Sequence, residues 1–201
     1  MRVSATILAA GDSARMGEEN KLLLPINGVS IITHVIQTVL DSQLTPVHVV
    51  TGYDHLNVRN AIPNSVDKII NNENWESGMA GSIYTAISTL PGDVSGNMIV
   101  LGDMPNLQVQ TLDVLVTEFI FHDGDRIIYP LYNNRQANPV IFPKKYFKEI
   151  FTSTGDRGCK KILKQYPGDA VGVPVESEEV ILDCDTKDDY FQLINKPKDH
   201  V

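Results

Sequence analysis

Two cations and one carboxylate are the residues of this 201-residue chain whose types and settings can do chemistry. Arg15 lies inside a loop that runs from Gly11 to Gly17 after an apolar stretch, and Lys21 stands just beyond it. Asp103 closes a second apolar stretch, in "MIVLGDMP". Glycines let a backbone curl so that successive N–H groups point at an anion. An arginine grips phosphate oxygens in pairs, and a lysine adds a compact positive charge. A carboxylate is a hard oxygen ligand suited to Mg²⁺, which takes one or two protein carboxylates together with phosphate oxygens and water. Taken together, these residues point to phosphate chemistry on a metal. Each also has a plainer role. The glycines make turns, the cations coat the surface, and an aspartate commonly starts the turn after a strand.

The loop is not a dinucleotide fingerprint, because G-x-G-x-x-G is absent. Nor is it a Walker loop, since no lysine follows the second glycine directly.

Residues of this kind must be held at one edge of a scaffold. Short apolar runs alternate with helical patterns, the form taken by βαβ units and a mostly parallel sheet. "VSATILAA", "PVHVVTG", "DKIINN" and "NMIVLGD" read as strands. Between and after them, Ile31, Ile32, Val35, Ile36, Val39 and Leu40, then "HLNVRNAI", then Ile83, Ile87 and Leu90, then Leu112, Leu115, Val116, Phe119 and Ile120 read as helix faces. The rhythm then changes. "RIIYPLYN" and "NPVIFP" read as strands joined by a polar turn, followed by helices at "KKYFKEI" and "RGCKKILKQY". Strands at "AVGVPV" and "EVILDCD" and a last helix from about Lys187 complete the pattern, with "KPKDHV" as a frayed tail. The expectation is one α/β domain over 1–201. It has a Rossmann-like, mostly parallel sheet with helices on both faces and a small β-rich addition in the second half. Ligands of such sheets bind outside the carboxyl ends of the strands, where the glycine loop and Asp103 both fall.

The formal net charge of −8 argues against a nucleic-acid partner, because phosphate backbones are bound mainly through lysine and arginine. No apolar run reaches the ~20 residues needed to cross a bilayer. Cys159 and Cys184 make no metal or redox spacing, which fits a reducing cytoplasm. An acidic protein that binds phosphate with a few placed cations suits a small ligand.

The stretch "LAAGDSARMG" followed by "NKLLLP" resembles the signature of nucleotidyltransferases that carry L-A-[AG]-G-x-x-x-R-M-G and a lysine shortly after. "NNENWESGMAGSI" resembles the second block of this group and "GDMP" its metal-binding block. "NPVIF", "TGDRG" and "LDCDTKDDY" follow in the family's order, so the likeness runs from Ile7 to Tyr190. It is closest to the molybdenum cofactor cytidylyltransferases, and more distant from the molybdopterin guanylyltransferases and the sugar-phosphate nucleotidyltransferases.

The resemblance implies that an acceptor phosphate attacks the α-phosphorus of a nucleoside triphosphate and that pyrophosphate leaves. The donor would be CTP and the acceptor the phosphate of molybdenum-loaded molybdopterin, with a molybdenum hydroxylase as the recipient of the product. A phosphate nucleophile is already ionised, so positioning and charge neutralisation are what such a reaction needs. By the same resemblance, Arg15 would hold the β- and γ-phosphates and Lys21 the α-phosphate, with Leu8, Ala9, Ala10, Gly11 and Gly17 around the nucleotide. Gly78, Met79 and Ser82 would lie near the nucleoside, although Ser82 also suits a helix start. Asp103 and Asp185 would hold Mg²⁺, with Mn²⁺ equally suited, and Asp183 is the alternative to Asp185. Asn138, Asp156 and Arg157 fall on the acceptor side, and Trp75 either lines the pocket or packs. Family members specific for cytidine tend to carry Ala-Ala-Gly where guanosine enzymes carry Ala-Gly-Gly, so Ala9, Ala10 and Gly11 favour CTP. GTP, a sugar phosphate as acceptor, and a non-catalytic cofactor carrier are the other readings.

Overall fold

The computed structural model describes residues 1–17, 19–152 and 160–195, without the side chains of 151, 152, 160 and 161. Its strands are β1 (Val3–Ala9), β2 (Pro25–Ile26), β3 (Val29–Ser30), β4 (Val47–Thr51), β5 (Lys68–Asn71), β6 (Gly96–Leu101), β7 (Ile127–Tyr132), β8 (Arg135–Gln136), β9 (Val140–Pro143) and β10 (Ala170–Pro174). Its helices are α1 (Ile31–Leu40), α2 (His55–Ala61), α3 (Met79–Ile87), α4 (Val109–Phe121), α5 (Phe147–Thr152), α6 (Lys160–Gln165) and α7 (Lys187–Asn195).

The sheet runs β10-β7-β9-β6-β1-β4-β5, with β8 paired to β7. β5, β4, β1 and β6 are mutually parallel, and β9 is antiparallel to both β6 and β7. The expected β-rich second half is therefore an extension of the same sheet. Alternation along the strands decides which layer each residue enters. Val3, Ala5, Ile7 and Ala9 of β1, with Met98 and Val100 of β6, pack against Ile32, Val35, Ile36 and Val39 of α1 and Leu112, Leu115 and Phe119 of α4. On the other face Ile99 and Phe142 pack with Ile83 and Ile87 of α3, Ile150 of α5, and Ile162 and Leu163 of α6. Both layers exclude water, which supplies most of the driving force for the fold.

β1 is flanked by β4 on one side and β6 on the other. The chain moves outward from β1 to β4 and β5, then crosses back to β6. The carboxyl ends of β1 and β6 thus border the crevice where the winding reverses, the place where open α/β sheets bind ligands. Gly102 makes this junction possible. Its N–H donates to the Leu8 carbonyl at 3.0 Å, and a Cβ there would lie 2.7 Å from that oxygen and 3.0 Å from Ile32 Cδ1.

Besides β8, which pairs with β7 where only a polar turn was expected, two elements differ from expectation. "EVILDCD" is not a strand. Glu178–Ile181 form a short 3-10 turn, and the chain then runs irregularly to Asp185. The cause is Glu179, 3% exposed, whose carboxylate accepts from the Gln108 N–H (3.3 Å), Thr111 Oγ1 (2.6 Å) and Ser177 Oγ (3.0 Å). An alternating pattern that buries a carboxylate against a helix start is used as a capped turn, not a ladder. The second difference is the β2–β3 hairpin, which the strand reading missed. Asn27 and Gly28 both have positive φ (52° and 83°), the geometry that an Asn-Gly pair supplies in a two-residue hairpin turn.

His48 in β4 is buried, with Nδ1 3.4 Å from Thr89 Oγ1. Burial, assisted by the charge of Lys68 and opposed by Asp67, holds its pKa below the usual 6.5. A histidine depressed in this way contributes stability that is present above 6.5 and lost as pH falls through the lower folded value. The urea midpoint is expected to drop as pH is lowered from 7 into that window, and His48→Gln should flatten the drop. An undiminished pH dependence in the variant would place the effect elsewhere.

Candidate active site

After β1 the backbone turns at Ala10 and Gly11 and enters a short 3-10 turn, Ala14–Met16. Met16, 1% exposed, pins that turn into the core. Ser13 adopts a left-handed conformation (φ 54°), and its hydroxyl accepts from the Lys21 N–H at 3.2 Å. Asn20 caps the next short turn by accepting from the Leu22 N–H at 3.1 Å, with Leu22 buried. Lys21 is therefore held from the backbone side. Among the described residues no acceptor meets the N–H groups of Gly11, Asp12 or Ser13. These are the donors a phosphate cradle requires.

Lys21 Nζ lies 2.5 Å from Asp103 Oδ2 and 2.5 Å from Asp185 Oδ1, the latter 164 residues away in sequence. Arg15 Nη1 lies 2.5 Å from Asp185 Oδ2. The segment bearing Asp185 is brought in by the Glu179 cap and by the Cys184 N–H, which donates to the Asp103 carbonyl at 2.9 Å. Asp189 closes it from below, accepting from the N–H groups of Asp185 and Thr186 at the start of α7.

The electrostatics of the cluster follow from burial and charge. Burial works against the Lys21 ammonium, but Asp103 and then Asp185 outweigh it, so its pKa stands above the ordinary value. Burial also opposes the Asp185 carboxylate, and Lys21 and Arg15 outweigh it, holding that group low. Asp183 is pushed up, by burial first and then by Asp103 and Asp185. Asp103, Asp183 and Asp185 each offer a carboxylate oxygen within 4.8 Å of the others. The Asp103 Oδ1 atom is buried and has no hydrogen-bond partner among the described residues. An all-carboxylate donor set with one such oxygen fits a hard divalent cation such as Mg²⁺ or Mn²⁺. Asp183, the alternative to Asp185 in the sequence reading, is exposed yet joins the same group.

These residues border a cleft of about 610 Å³. Leu8, Ala9, Ala10, Gly11, Arg15, Lys21, Gly78, Met79, Ser82, Asp103 and Asp185, eleven of the expected site residues, line it, and Trp75 and Asp183 do too. Trp75 does both things considered for it, since it also packs with Ala10, Val50, Ile70 and Ala86. Gly17 (φ 84°) ends the loop without lining the cleft. Ser82 is not the helix start, because α3 begins at Met79 with Gly78 as its cap. Asn138 donates its N–H to the Val180 carbonyl, beside the end of β6, and is outside the cleft lining. Asp156, Arg157 and Cys159 lie outside the described residues, as does the "KPKDHV" tail.

Glu179 and Asn72 were missed by the sequence reading. Glu179 had a signal, a carboxylate in an otherwise apolar run, but its partners lie 68 and 71 residues away. Glu179→Ala is expected to cost about 1–3 kcal/mol, because Thr111 and the α4 start lose a buried acceptor. A two-state urea titration checks this, and a change within error would mean that water replaces the carboxylate.

Residues 5–171 match the family described as the MobA-like NTP transferase domain. The chain is 28% identical over 191 residues to the molybdenum cofactor cytidylyltransferase of Escherichia coli, covering 94% of each chain. It is 26% identical over 200 residues to a Paenarthrobacter nicotinovorans protein named nicotine blue oxidoreductase, covering 96% of each. It is also 33% identical over 138 residues to a probable molybdenum cofactor guanylyltransferase of Thermococcus sibiricus, covering 67% of this chain and 64% of that one. The fold matches a nucleotidyl transferase from Methanothermobacter thermautotroptrophicus with a TM-score of 0.83 at 21% identity, covering 96% of both chains. With a sheet whose switch point carries a glycine loop opposite a carboxylate cluster, the chain belongs to the MobA-like NTP transferase domain family and is a nucleotidyltransferase.

Proposed function

We propose that the protein transfers a cytidylyl group from CTP to the terminal phosphate of molybdenum-loaded molybdopterin, with residues 1–201 acting as one unit. The observation that carries this is the convergence of Arg15, Lys21 and the Asp103–Asp185 pair at one end of the cleft, with Ala10 and Ser82 lining the same cavity. In the reaction an acceptor phosphate oxygen bonds to the α-phosphorus while the bond from that phosphorus to the bridging oxygen breaks. The electron pair leaves with pyrophosphate. The loop amides after Ala10 cradle the triphosphate, Arg15 holds its outer phosphates, and Lys21 neutralises charge at the α-phosphate. A divalent cation held by Asp103 and Asp185 would screen the phosphate charge and orient its oxygens. No general base is needed, and Asn138, Asp156 and Arg157 are assigned to the acceptor. The buried unpaired thiol of Cys184 suits a reducing cytoplasm.

The choice of cytidine rests on Ala10. Its carbonyl accepts from the Tyr53 N–H at 3.2 Å, and its methyl packs close to Gly52, so the wall at this point is fixed. A methyl group of this kind discriminates by about 1–3 kcal/mol. Ala10→Gly is therefore expected to raise GTP use relative to CTP by roughly tenfold or more. The test is pyrophosphate release from CTP, GTP and ATP in separate reactions with Mg²⁺ or Mn²⁺ and molybdenum-loaded molybdopterin. Release confined to CTP and dependent on pterin and metal supports the assignment. A preference for GTP would move the protein to the activity named for its Thermococcus relative, and silence with all three nucleotides would overturn the acceptor.

A further inference from the structure

Ser82 differs from the other hydroxyls around α3. Thr85 donates to the Gly81 carbonyl, Ser88 to Thr85, and Thr89 to Ala86, the usual use of a hydroxyl proton on a helix. Ser82 donates to no carbonyl among the described residues. Its Oγ accepts from Asn72 Nδ2 at 3.1 Å, and this is its sole hydrogen bond among the described residues. The orientation of the Asn72 amide is set in turn, because its Oδ1 accepts from the Asn74 N–H at 3.1 Å. Asn72 is 5% exposed and does not line the cleft, whereas Ser82, 4% exposed, does. A hydroxyl has one proton and two acceptor positions. With one acceptor position filled by the amide and no carbonyl taking the proton among the described residues, the proton is free to point into the cleft.

We propose that Asn72 is a positioning residue that orients Ser82 as a hydrogen-bond donor to the nucleobase. Ser82 then meets an acceptor atom of the base, such as O2 or N3 of cytosine. This rests on the proposed use of the cleft for a nucleoside triphosphate. The Asn74–Asn72–Ser82 chain transmits a polarity from the backbone to the ligand without any contact between Asn72 and the ligand.

Asn72→Asp reverses that polarity with little change of shape. The carboxylate still accepts from the Asn74 N–H, but it now takes the Ser82 proton and leaves an oxygen lone pair facing the base acceptor. Binding of CTP with Mg²⁺, measured by calorimetry, is expected to weaken by about ten- to a hundredfold, the size of a buried polar mismatch. Inorganic tripolyphosphate, which has no base, should bind the variant as it binds the wild type. In Ser82→Ala, CTP should also bind more weakly, and adding Asn72→Asp should cost nothing further because no proton remains to be reversed. Unchanged CTP binding in either single variant, or an equal loss for tripolyphosphate, would overturn the inference and leave the nucleotide reading standing. If the wild type takes up neither CTP nor GTP, the nucleotide reading falls and this inference falls with it. Should Asn72→Asp not fold, Ser82→Ala alone decides: wild-type affinity for CTP overturns the proposal.

Discussion

Asp103→Ala is expected to lower turnover by roughly a thousandfold or more, about 4 kcal/mol of transition-state stabilisation, while the protein keeps its fold. Asp103 follows the last residue of β6 through Gly102, and its Oδ1 is buried with no hydrogen-bond partner among the described residues, so none of them depends on that oxygen. Removing the side chain also relieves repulsion among three carboxylates that share a space 4.8 Å across. Loss of the Lys21 pair at Oδ2 opposes that gain, and Asp185 still holds the ammonium, so the melting temperature should stay near the wild-type value while Mn²⁺ affinity, read by electron paramagnetic resonance, falls. Single-turnover pyrophosphate release measures the catalytic loss. Wild-type turnover in the variant would remove the metal assignment from Asp103, and a collapsed fold would show that the aspartate is structural.

Lys21→Met is expected to separate two effects that would fall together if Lys21 merely supported the site. Lys21 Nζ sits 2.5 Å from one oxygen each of Asp103 and Asp185, two of the groups that would hold a divalent cation. The ammonium and the metal thus compete for the same carboxylates, and in the reacting complex the lysine belongs on phosphate. Methionine keeps the volume and removes the charge. Turnover should fall about a thousandfold, as expected for loss of a charge aimed at the transition state. Affinity for Mn²⁺ should stay level or increase, because the carboxylates lose their internal cation. Arginine should not restore turnover, since its planar fork does not reproduce a compact ammonium. Weaker Mn²⁺ binding in Lys21→Met would show that the lysine organises the carboxylates and does not compete for them.

Local pattern was enough for the strands that carry the site. β1 and β6 are apolar runs that end in glycine, and a strand buried on both faces has few other compositions open to it. Arg15, Lys21 and Asp103 were legible because cations after one such strand and a carboxylate after another have a shared chemistry. The hairpin at Asn27–Gly28 was missed, because two-residue strands are too short to show any alternation and only the turn residues signal it. "EVILDCD" misled because period-two alternation records burial, and burial of Glu179 against α4 produces the same alternation as a sheet face.

By itself the sequence determined the alternating α/β order, the glycine loop, and the residue types that suit phosphate and a hard cation. These depend on neighbours a few residues apart, where backbone geometry alone places side chains. Only the tertiary structure decided that β6 lies beside β1, that Asp183 and Asp185 reach Asp103, and that Asn72 stands behind Ser82. Those contacts span from 10 residues (Asn72 to Ser82) to 93 (Val3 to Gly96). They arise from how two layers of helices cover one twisted sheet, a packing that no local spacing records.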